Sequence, residues 1–285
     1  MTTLLLSIGL LAQAPDTADV GTGSLESVRA EYQADAEKYA FYADAQHKRR
    51  LEWIAKPVMR WSSLKDYSGD VFVWTADGLP MVVGCMLSGP NGQRTRGMSH
   101  EFHIVADQPI AAIDIPSRRR WQPADGLKRS QVDGAPPPAE SAAGRLTQMR
   151  QLSRAFTVHM EAVNGTWELR LLPQPLFRYG NESAGIIDGA LFAHVWTTGT
   201  DPEFILLLEC RRTENGLAWH FAPLRFTNRA LRLEHAGREV WNDAAHQEPA
   251  SPSNLLYTTG FVRTFSISSP ATPTPKTSAT ARDQE

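Results

Sequence analysis

The feature that most constrains how this chain can fold is a match between two of its own segments. The segment PVMRW begins at Pro57, and the similar segment PLFRY begins at Pro175. A spacing of about 120 residues corresponds to one small domain and is far longer than the period of a solenoid repeat. The match therefore predicts that one module occurs twice in the chain.

Further matches follow in the same order in both halves and support this duplication. Each half contains the segment VWT, an apolar run that ends in cysteine, an aromatic residue followed by histidine, and a final tryptophan. The small differences in spacing are of the kind that changes in hairpin loops produce. The matched residues are Trp74 with Trp196, Cys85 with Cys210, Phe102 and His103 with Trp219 and His220, and Trp121 with Trp241.

Each half begins with a helical pattern and continues with strands. Val28, Tyr32 and Tyr39 fall near helical spacing in the first half, and apolar residues recur every three to four positions from Leu146 as far as Met160 in the second. Short runs rich in β-branched and aromatic residues follow, separated by turns with glycine or proline. The predicted fold class is α+β: two tandem duplicated modules, each a helix followed by a curved antiparallel β-meander, packed as a pseudo-two-fold pair.

Changes in composition along the chain predict its domain boundaries. The stretch with three consecutive prolines, Pro136 to Pro138, indicates a linker between the modules, and the C-terminal stretch has almost no apolar bulk, which is typical of disorder. The predicted segments are a signal peptide (1–14), a short linker (15–23), the first module (24–121), a Pro-rich linker (122–138), the second module (139–267) and a disordered tail (268–285).

The N-terminus has features of an export signal. A short apolar run from Leu4 to Leu11 precedes the sequence Ala12-Gln13-Ala14, which has the small-x-small form of a signal peptidase site. No lysine or arginine precedes the run, so the alternative is an ordinary apolar N-terminus. The export interpretation predicts a periplasmic or secreted protein. No stretch reaches the roughly 18 apolar residues of a membrane span, so no transmembrane segment is predicted.

Composition narrows the classes of partner. The net charge is −2 and the pI is about 6.5, so the chain has no basic field to hold nucleic acid. Hydrophobic residues make up 42 % of the chain, which is ample for a folded core. The partners predicted instead are another protein or a small apolar ligand.

Residues that recur in both halves are best explained by packing demands that the halves share. The aromatic members are predicted to lie in the core, and the two arginines to lay their stems on the sheet or to pair with a carboxylate. The two matched cysteines are either separate buried thiols, the favoured interpretation, or one disulfide near the pseudo-two-fold axis. The predicted repeat core comprises Arg60, Trp61, Trp74, Trp121, Arg178, Tyr179, Trp196 and Trp241.

Candidate catalytic residues are few. In the segment SHEFH, a strand would place Glu101 and His103 on one face, with His100 and Phe102 on the other. Asp188 is an acidic residue inside an otherwise apolar strand, which makes it the third weak candidate.

No metal site and no cofactor are predicted, because the chain lacks a His-Glu-x-x-His motif, a phosphate-binding loop and the four cysteines of a structural zinc site. Glu209 is also acidic within an apolar run. A strand-end ion pair with Arg211, on the same face, is the favoured interpretation.

One resemblance to known proteins rests on the second half. The segments RLLPQPLFRY and DGALFAHVWTTGTDPEFILLLE, between Arg170 and Glu209, resemble exported proteins of planctomycete bacteria whose function is not established. The resemblance extends more weakly from Glu140 to Trp241. It implies a bacterial envelope setting, and it carries over no catalytic residue.

Three functional hypotheses follow from these observations. The leading one is an exported, non-enzymatic binding or interaction module of the bacterial envelope. The second is a carrier of a lipid or apolar small ligand, which requires an open, apolar sheet concavity that the helix does not fill. The third is a hydrolase-like enzyme, which requires Glu101, His103 and Asp188 to converge in one cleft.

Overall fold

The computed structural model describes residues 22–111, 113–115, 119–197, 199–246 and 254–267. The predicted signal peptide and C-terminal tail lie outside the described residues. The described chain is mostly antiparallel β-sheet, with two α-helices, α1 (Thr22–Glu37) and α2 (Ala142–Ser153). The strands are β1 (Glu52–Trp53), β2 (Met59–Ser62), β3 (Ser68–Ala76), β4 (Leu79–Pro90), β5 (Thr95–Ile104), β6 (Ile113–Ile115), β7 (Arg119–Trp121), β8 (Ser130–Gln131), β9 (Phe156–Ala162), β10 (Gly165–Glu168), β11 (Arg170–Leu171), β12 (Phe177–Asn181), β13 (Ile186–Val195), β14 (Pro202–Thr213), β15 (Gly216–Arg225), β16 (Leu231–His235), β17 (Arg238–Asp243) and β18 (Tyr257–Ser266).

Two six-stranded sheets form the centre of the molecule, and they have the same strand plan. In sheet one, β1 and β2 pair in succession with β3, which is followed by β4, β5 and β18. In sheet two, β11 and β12 pair in succession with β13, which is followed by β14, β15 and β8. Each sheet therefore has an interrupted edge strand, a long hairpin and a third strand in sequence order.

The last strand in each sheet comes from the other half of the chain. β18 lies near the C-terminus but pairs with β5 of sheet one, while β8 follows the first half and pairs with β15 of sheet two. We call β8 and β18 the exchanged strands. The predicted domain boundaries are wrong here, because the linker 122–138 contains a strand of sheet two and the segment 139–267 contains a strand of sheet one.

The two sheets pack face to face around a shared apolar core. Each inner face carries mainly aliphatic residues, as expected where alternate side chains of two sheets interdigitate. The core residues of this layer include Val71, Val73, Val83, Val105, Leu191, Ile205, Leu207 and Leu224. The two sheets therefore share one inner core, and the helices lie on their outer sides.

Helix α1 covers the outer face of sheet one. Its buried residues Val28, Tyr32 and Ala36 recur at the four-residue spacing of one helix face, as the sequence pattern indicates. They pack on an aromatic cluster that includes Phe72, Trp74, Phe102 and Trp121. The concavity of sheet one is therefore filled, and the fold does not supply the open sheet surface that the carrier hypothesis required.

A smaller third sheet, in the order β10-β9-β16-β17, covers the outer face of sheet two together with α2. The helix predicted to continue as far as Met160 ends at Ser153, and the next residues form β9. In β9 the residues Phe156, Val158 and Met160 are buried alternately, which is the period of a strand. In so short a run, apolar residues at these positions fit a helix as well as a strand. The pairing of this segment with β16 shows that it is a strand.

The registers of the strands correct two of the sequence matches. In sheet one, Trp74 of β3 pairs with Trp53 of β1. At the same place in sheet two, His194 of β13 pairs with Leu171 of β11. The structural counterpart of Trp74 is therefore His194 and not Trp196, which follows the end of β13.

The two cysteines are also not counterparts. Cys85 lies in the core between the two sheets, whereas Cys210 lies in the core beyond sheet two. Both are free, buried thiols on different faces. The hypothesis that they occupy equivalent points is therefore wrong.

Candidate functional site

A cleft of about 420 Å³ lies where the exchanged strands enter their sheets, and we call it the exchange cleft. Its walls come from β5 and β18 of sheet one, β15 of sheet two, β17 of the third sheet and the segments that lead into β8 and β18. Small-molecule sites in proteins commonly have this size and mix an apolar lining with a few polar groups.

Unequal lengths of the exchanged strands create the cleft. β18 pairs along most of β5, whereas β8 pairs with β15 only at His220 and Phe221. The remainder of β15, as far as Arg225, has no paired strand on that side among the described residues. The cleft occupies the space beside it.

A close backbone approach holds the segment before β8 away from β15. Gly126 lies against the main chain of Asp107, where a Cβ atom would meet the carbonyl group at 2.1 Å. The next residue, Leu127, donates its N–H to the carbonyl of Ala106 at 2.7 Å. Glycine is therefore required at position 126 for the segment to follow sheet one and leave the cleft open.

The cleft has an apolar wall that is partly exposed. Val240 and Leu255 are 40 % and 38 % exposed, and Trp241 is half-buried beside the ring of Phe204. Exposed apolar groups at a concave surface mark a place where a ligand or partner binds. The apolar lining consists of Leu127, Phe221, Pro223, Val240, Trp241, Leu255 and Leu256.

Arg225 is the buried cation of the cleft, and the protein itself uses all of its donors. Its Nε donates to the carbonyl of Thr227, and its two terminal nitrogens donate to Asp243 and to the carbonyls of Arg229 and Ala244. These five contacts match the five N–H groups of a guanidinium. Arg225 therefore holds the loop between β15 and β16 to the end of β17, and it has no donor left for a bound anion.

Two histidines line the cleft in their neutral forms. His103 Nδ1 lies 2.6 Å from the carbonyl of Ile104, and burial lowers the pKa of His103 to about 4. His246 Nε2 lies 3.3 Å from the carboxylate of Asp243, and burial followed by the charge of Arg225 lowers the pKa of His246. Since a carbonyl or a carboxylate accepts the hydrogen bond, the opposite nitrogen of each neutral ring is an acceptor.

Glu101 lies next to the cleft, within the core between the two sheets. Tyr257, which lines the cleft, donates its hydroxyl to Glu101 Oε2 at 2.8 Å. Burial raises the pKa of Glu101 well above its ordinary value, and the carboxylates of Asp201 and Glu203 raise it further. Glu101 therefore favours its protonated form.

Glu209 has the opposite electrostatic environment on sheet two. Burial alone would raise its pKa, but Arg129, Tyr179 and Arg211 hold the pKa below its ordinary value through charge and hydrogen bonds. The predicted ion pair with Arg211 is present at 2.8 Å, and Arg129 adds a second at 2.9 Å. Glu101 and Glu209 can therefore be compared directly: burial dominates the pKa of Glu101, and pairing with arginines dominates the pKa of Glu209.

The substitutions Glu101→Gln and Glu209→Gln are expected to have opposite effects on stability. A raised carboxyl pKa in the folded state gives stability that is present below the unfolded pKa of about 4.3 and is lost as pH rises. A lowered pKa gives stability that is present above that value and is lost as pH falls. Urea unfolding between pH 5 and pH 8 should show Glu101→Gln more stable than the wild type at pH 8, with the advantage shrinking toward pH 5. Glu209→Gln should be less stable by a nearly constant amount over this range, because stability from a lowered pKa is lost only as pH falls below the unfolded value, and equal signs for the two variants at pH 8 would contradict this account.

The three weak catalytic candidates do not converge. Glu101 and His103 share the inner face of sheet one, as their alternation predicts, whereas Asp188 lies on the outer face of sheet two. There Asp188 accepts hydrogen bonds from Arg145 of α2 and from Arg178. The condition set for a hydrolase-like site is therefore not met by these residues.

Asp35, His100 and Tyr39 form a buried series of hydrogen bonds beneath α1. The series has the order acid, histidine and hydroxyl of a catalytic triad, but its role is structural. Tyr39 Oη lies 2.6 Å from His100 Nδ1, and His100 Nε2 lies 3.1 Å from Asp35 Oδ2. Burial raises the pKa of Tyr39, which makes its phenolate harder to form. All three residues are at least nine-tenths buried, and the chain ties α1 to sheet one.

The predicted repeat core divides into buried and surface members. Trp61, Trp74, Trp121 and Tyr179 are buried. Trp196 and Trp241 are only half-buried: Trp196 follows the end of β13, and Trp241 lies in β17, the edge strand of the third sheet. The arginines are exposed and pair with carboxylates: Arg60 with Asp70 at 3.4 Å and Arg178 with Asp188 at 2.7 Å.

Sequence reasoning missed most of the cleft. The sequence pattern indicates that Trp241 is a core aromatic and that His103 is a weak catalytic candidate. Nothing in the sequence indicates that the two residues line the same cleft. One signal was present in Gly126, which stands in a polar segment between two strands. The remaining polar residues of the cleft, Arg225 and His246, belong to loops that only the tertiary fold brings together.

Neither helix among the described residues is long and apolar enough to cross a membrane. Within the same part of the chain, no group of three or more histidine, cysteine or carboxylate side chains is placed to hold a metal ion.

Comparison of the chain with protein-family models, with curated proteins and with solved structures returned no match. The resemblance to exported planctomycete proteins therefore remains a prediction from the segments between Arg170 and Glu209.

Proposed function

We propose that this protein is a non-enzymatic binding module that holds a small apolar ligand in the exchange cleft. The observation that carries the proposal is the combination, in one concave space of about 420 Å³, of a partly exposed apolar wall with a few fixed polar groups. Leaving Val240 and Leu255 bare to water costs hydrophobic free energy that a bound ligand would recover.

The ligand site proposed here differs from that of the carrier hypothesis, which placed an apolar ligand in the concavity of a sheet. The outer faces of both sheets are filled by helices and by the third sheet, so an apolar ligand has no space there. The exchange cleft supplies the apolar surface instead. A protein-interaction role of the surface outside the cleft is the second candidate, and it becomes the leading one if the cleft proves empty in solution.

The proposal includes an origin for the cleft in internal duplication. Two local features support it: Trp61 lies over Gly69 of the neighbouring strand, and Tyr179 lies over Gly189 in the same way. The interrupted edge strands, β1 with β2 and β11 with β12, occupy corresponding positions in the two sheets, and so do the exchanged strands β18 and β8. In a duplicated pair with exchanged strands, a shorter second copy of one strand opens a cleft without disturbing either core.

We further propose that the protein acts outside the cytoplasm of a bacterium. The apolar run from Leu4 to Leu11 and the site Ala12-Gln13-Ala14 support export, and the resemblance to exported planctomycete proteins points to the same compartment. N-terminal sequencing of the protein from fractionated cells tests this part, since cleavage after Ala14 is expected in the envelope fraction.

Trp241→Ala is expected to lower ligand affinity roughly tenfold or more, because a large aromatic side chain at the centre of an apolar wall contributes most to binding. Native mass spectrometry of the full chain, purified without denaturation from its own cells, should show a bound mass that disappears on denaturation. The variant should lose that mass. Trp167→Ala is the matched control, because Trp167 is a half-exposed tryptophan of the third sheet outside the cleft. A bare chain mass in the wild type, or equal retention by both variants, would contradict the proposal.

A further inference from the structure

The polar groups of the exchange cleft restrict the chemistry of its ligand. Two cations, Arg225 and Lys128, and two carboxylates, Asp125 and Asp243, line the cleft, so its formal charge is balanced. A balanced lining gives no net attraction to an ionic ligand of either sign. The individual groups then decide which head group fits.

The buried side-chain cation of the cleft, Arg225, offers no free donor to an anionic head group. The five N–H groups of Arg225 are occupied by Asp243 and by three main-chain carbonyls. Lys128 is exposed at the mouth, where water and salt screen its charge. A carboxylate or phosphate placed inside would therefore lose its hydration without gaining a comparable partner.

A cationic head group is no better accommodated. The carboxylate of Asp243 is already paired with Arg225 at 2.8 Å, and the guanidinium lies in the cleft wall about 6.0 Å from the ring of Tyr257. A second cation would be repelled by Arg225 at close range in a space that excludes most of the water.

An uncharged hydrogen-bond donor has a suitable partner in His103. Its Nδ1 is bonded to the carbonyl of Ile104, so the ring nitrogen that remains for a ligand is Nε2. At pH 7 a pKa of about 4 leaves about one imidazole in a thousand protonated, and Nε2 is therefore an acceptor. His103 is 97 % buried and has no other hydrogen bond among the described residues.

We infer that the exchange cleft takes an uncharged, apolar molecule that carries a hydroxyl or amide N–H group, and that His103 accepts the hydrogen bond from that group. This inference rests on the proposed binding function. The apolar body of the ligand lies along Trp241 and Leu255, and the donor lies at the inner end beside Tyr257.

Four probes with the same ten-carbon chain test the head group: decanol, decyl methyl ether, decyl sulfate and decyltrimethylammonium. Isothermal titration of the full chain at pH 7 should show decanol binding roughly three- to tenfold more tightly than the ether, because only the alcohol donates a hydrogen bond. Both ions should bind more weakly than decanol. Tighter binding of either ion would overturn the inferred ligand class and leave the proposed function intact, provided that Trp241→Ala weakens that binding. No binding of any probe would overturn both.

The variant His103→Phe assigns the acceptor. It should abolish the preference for decanol over the ether and leave affinity for the ether nearly unchanged, whereas His103→Gln, which keeps an acceptor oxygen, should retain a preference. Thermal unfolding of each variant confirms that it is folded. If His103→Phe does not fold, the Gln variant and the wild-type ratio still decide the point. An alcohol preference that survives in a folded His103→Phe would overturn the role of His103.

Discussion

A chain that ends at His246, and so lacks β18, is expected to lose the cooperative unfolding of sheet one. β18 pairs with β5 along nearly its whole length. Its residues Tyr257 and Phe265 are buried, Tyr257 against Glu101 and Phe265 in the core beneath α1. Burial of one such side chain contributes about 1.5–3 kcal/mol, and an entire domain is stable by only about 5–15 kcal/mol. Removing both side chains and a full ladder of hydrogen bonds should therefore leave little net stability.

The matched reference for this truncation is a chain that ends at Ile267, which keeps all the described residues. Calorimetry should show a cooperative transition for the reference and a weak or absent one for the chain that ends at His246. Addition of a peptide of residues 254–267 should restore the transition in proportion to its concentration, because binding to the folded state stabilises it. Identical melting curves for the two chains would show that β18 is not an integral strand of sheet one.

The local structure of this protein was largely predictable from its sequence. The runs around Val73, Val83 and Phe102 form long strands, as their β-branched and aromatic residues indicate. Asp77 and Gly78 both adopt positive φ angles of 51° and 77° in the turn between β3 and β4, which the Asp-Gly pair predicts. These features depend on near neighbours in the chain, and a sequence pattern records them directly.

Which residues of the two sheets occupy corresponding positions could not be predicted from similar residues in the sequence. A shift of two residues keeps every side chain on the same face of a strand, so burial cannot distinguish Trp196 from His194 as the counterpart of Trp74. A shift of three residues changes the face, which is why Cys85 and Cys210 lie in different cores. Only hydrogen-bond pairing with the neighbouring strand fixes these positions.

The exchange of strands was hidden for a related reason. β8 has only two paired residues, too few for any periodicity, and β18 follows all the strands of sheet two in sequence while completing sheet one. Which sheet a strand joins depends on contacts between residues far apart in the chain. The exchange cleft exists only through that pairing, so the site could not be assembled from motifs.

Arg129→Met is expected to destabilise the protein by about 3 kcal/mol, the lower part of the range for breaking a buried ion pair. Arg129 donates to Glu209 of sheet two at 2.9 Å and to the carbonyls of Val105 and Leu127, at 2.8 Å and 2.9 Å. It therefore joins the segment before β8 to both sheets, and its loss removes one of the donors to the buried carboxylate of Glu209 and the Arg129 donors to two main-chain carbonyls. Arg211 still pairs with Glu209, which limits the cost.

Arg238→Met is the control for this substitution, because the ion pair of Arg238 with Asp133 is exposed and should contribute no more than about 1 kcal/mol. The double variant Arg129→Met with Glu209→Gln should recover part of the loss, since the uncompensated charge is then absent. Urea unfolding at pH 7 of the wild type, Arg129→Met, Glu209→Gln and the double variant measures this coupling, with Arg238→Met as a fifth chain for the control. If Arg129→Met costs no more than Arg238→Met, the segment before β8 is held by packing alone, and the position of β8 that opens the cleft does not depend on this buried pair.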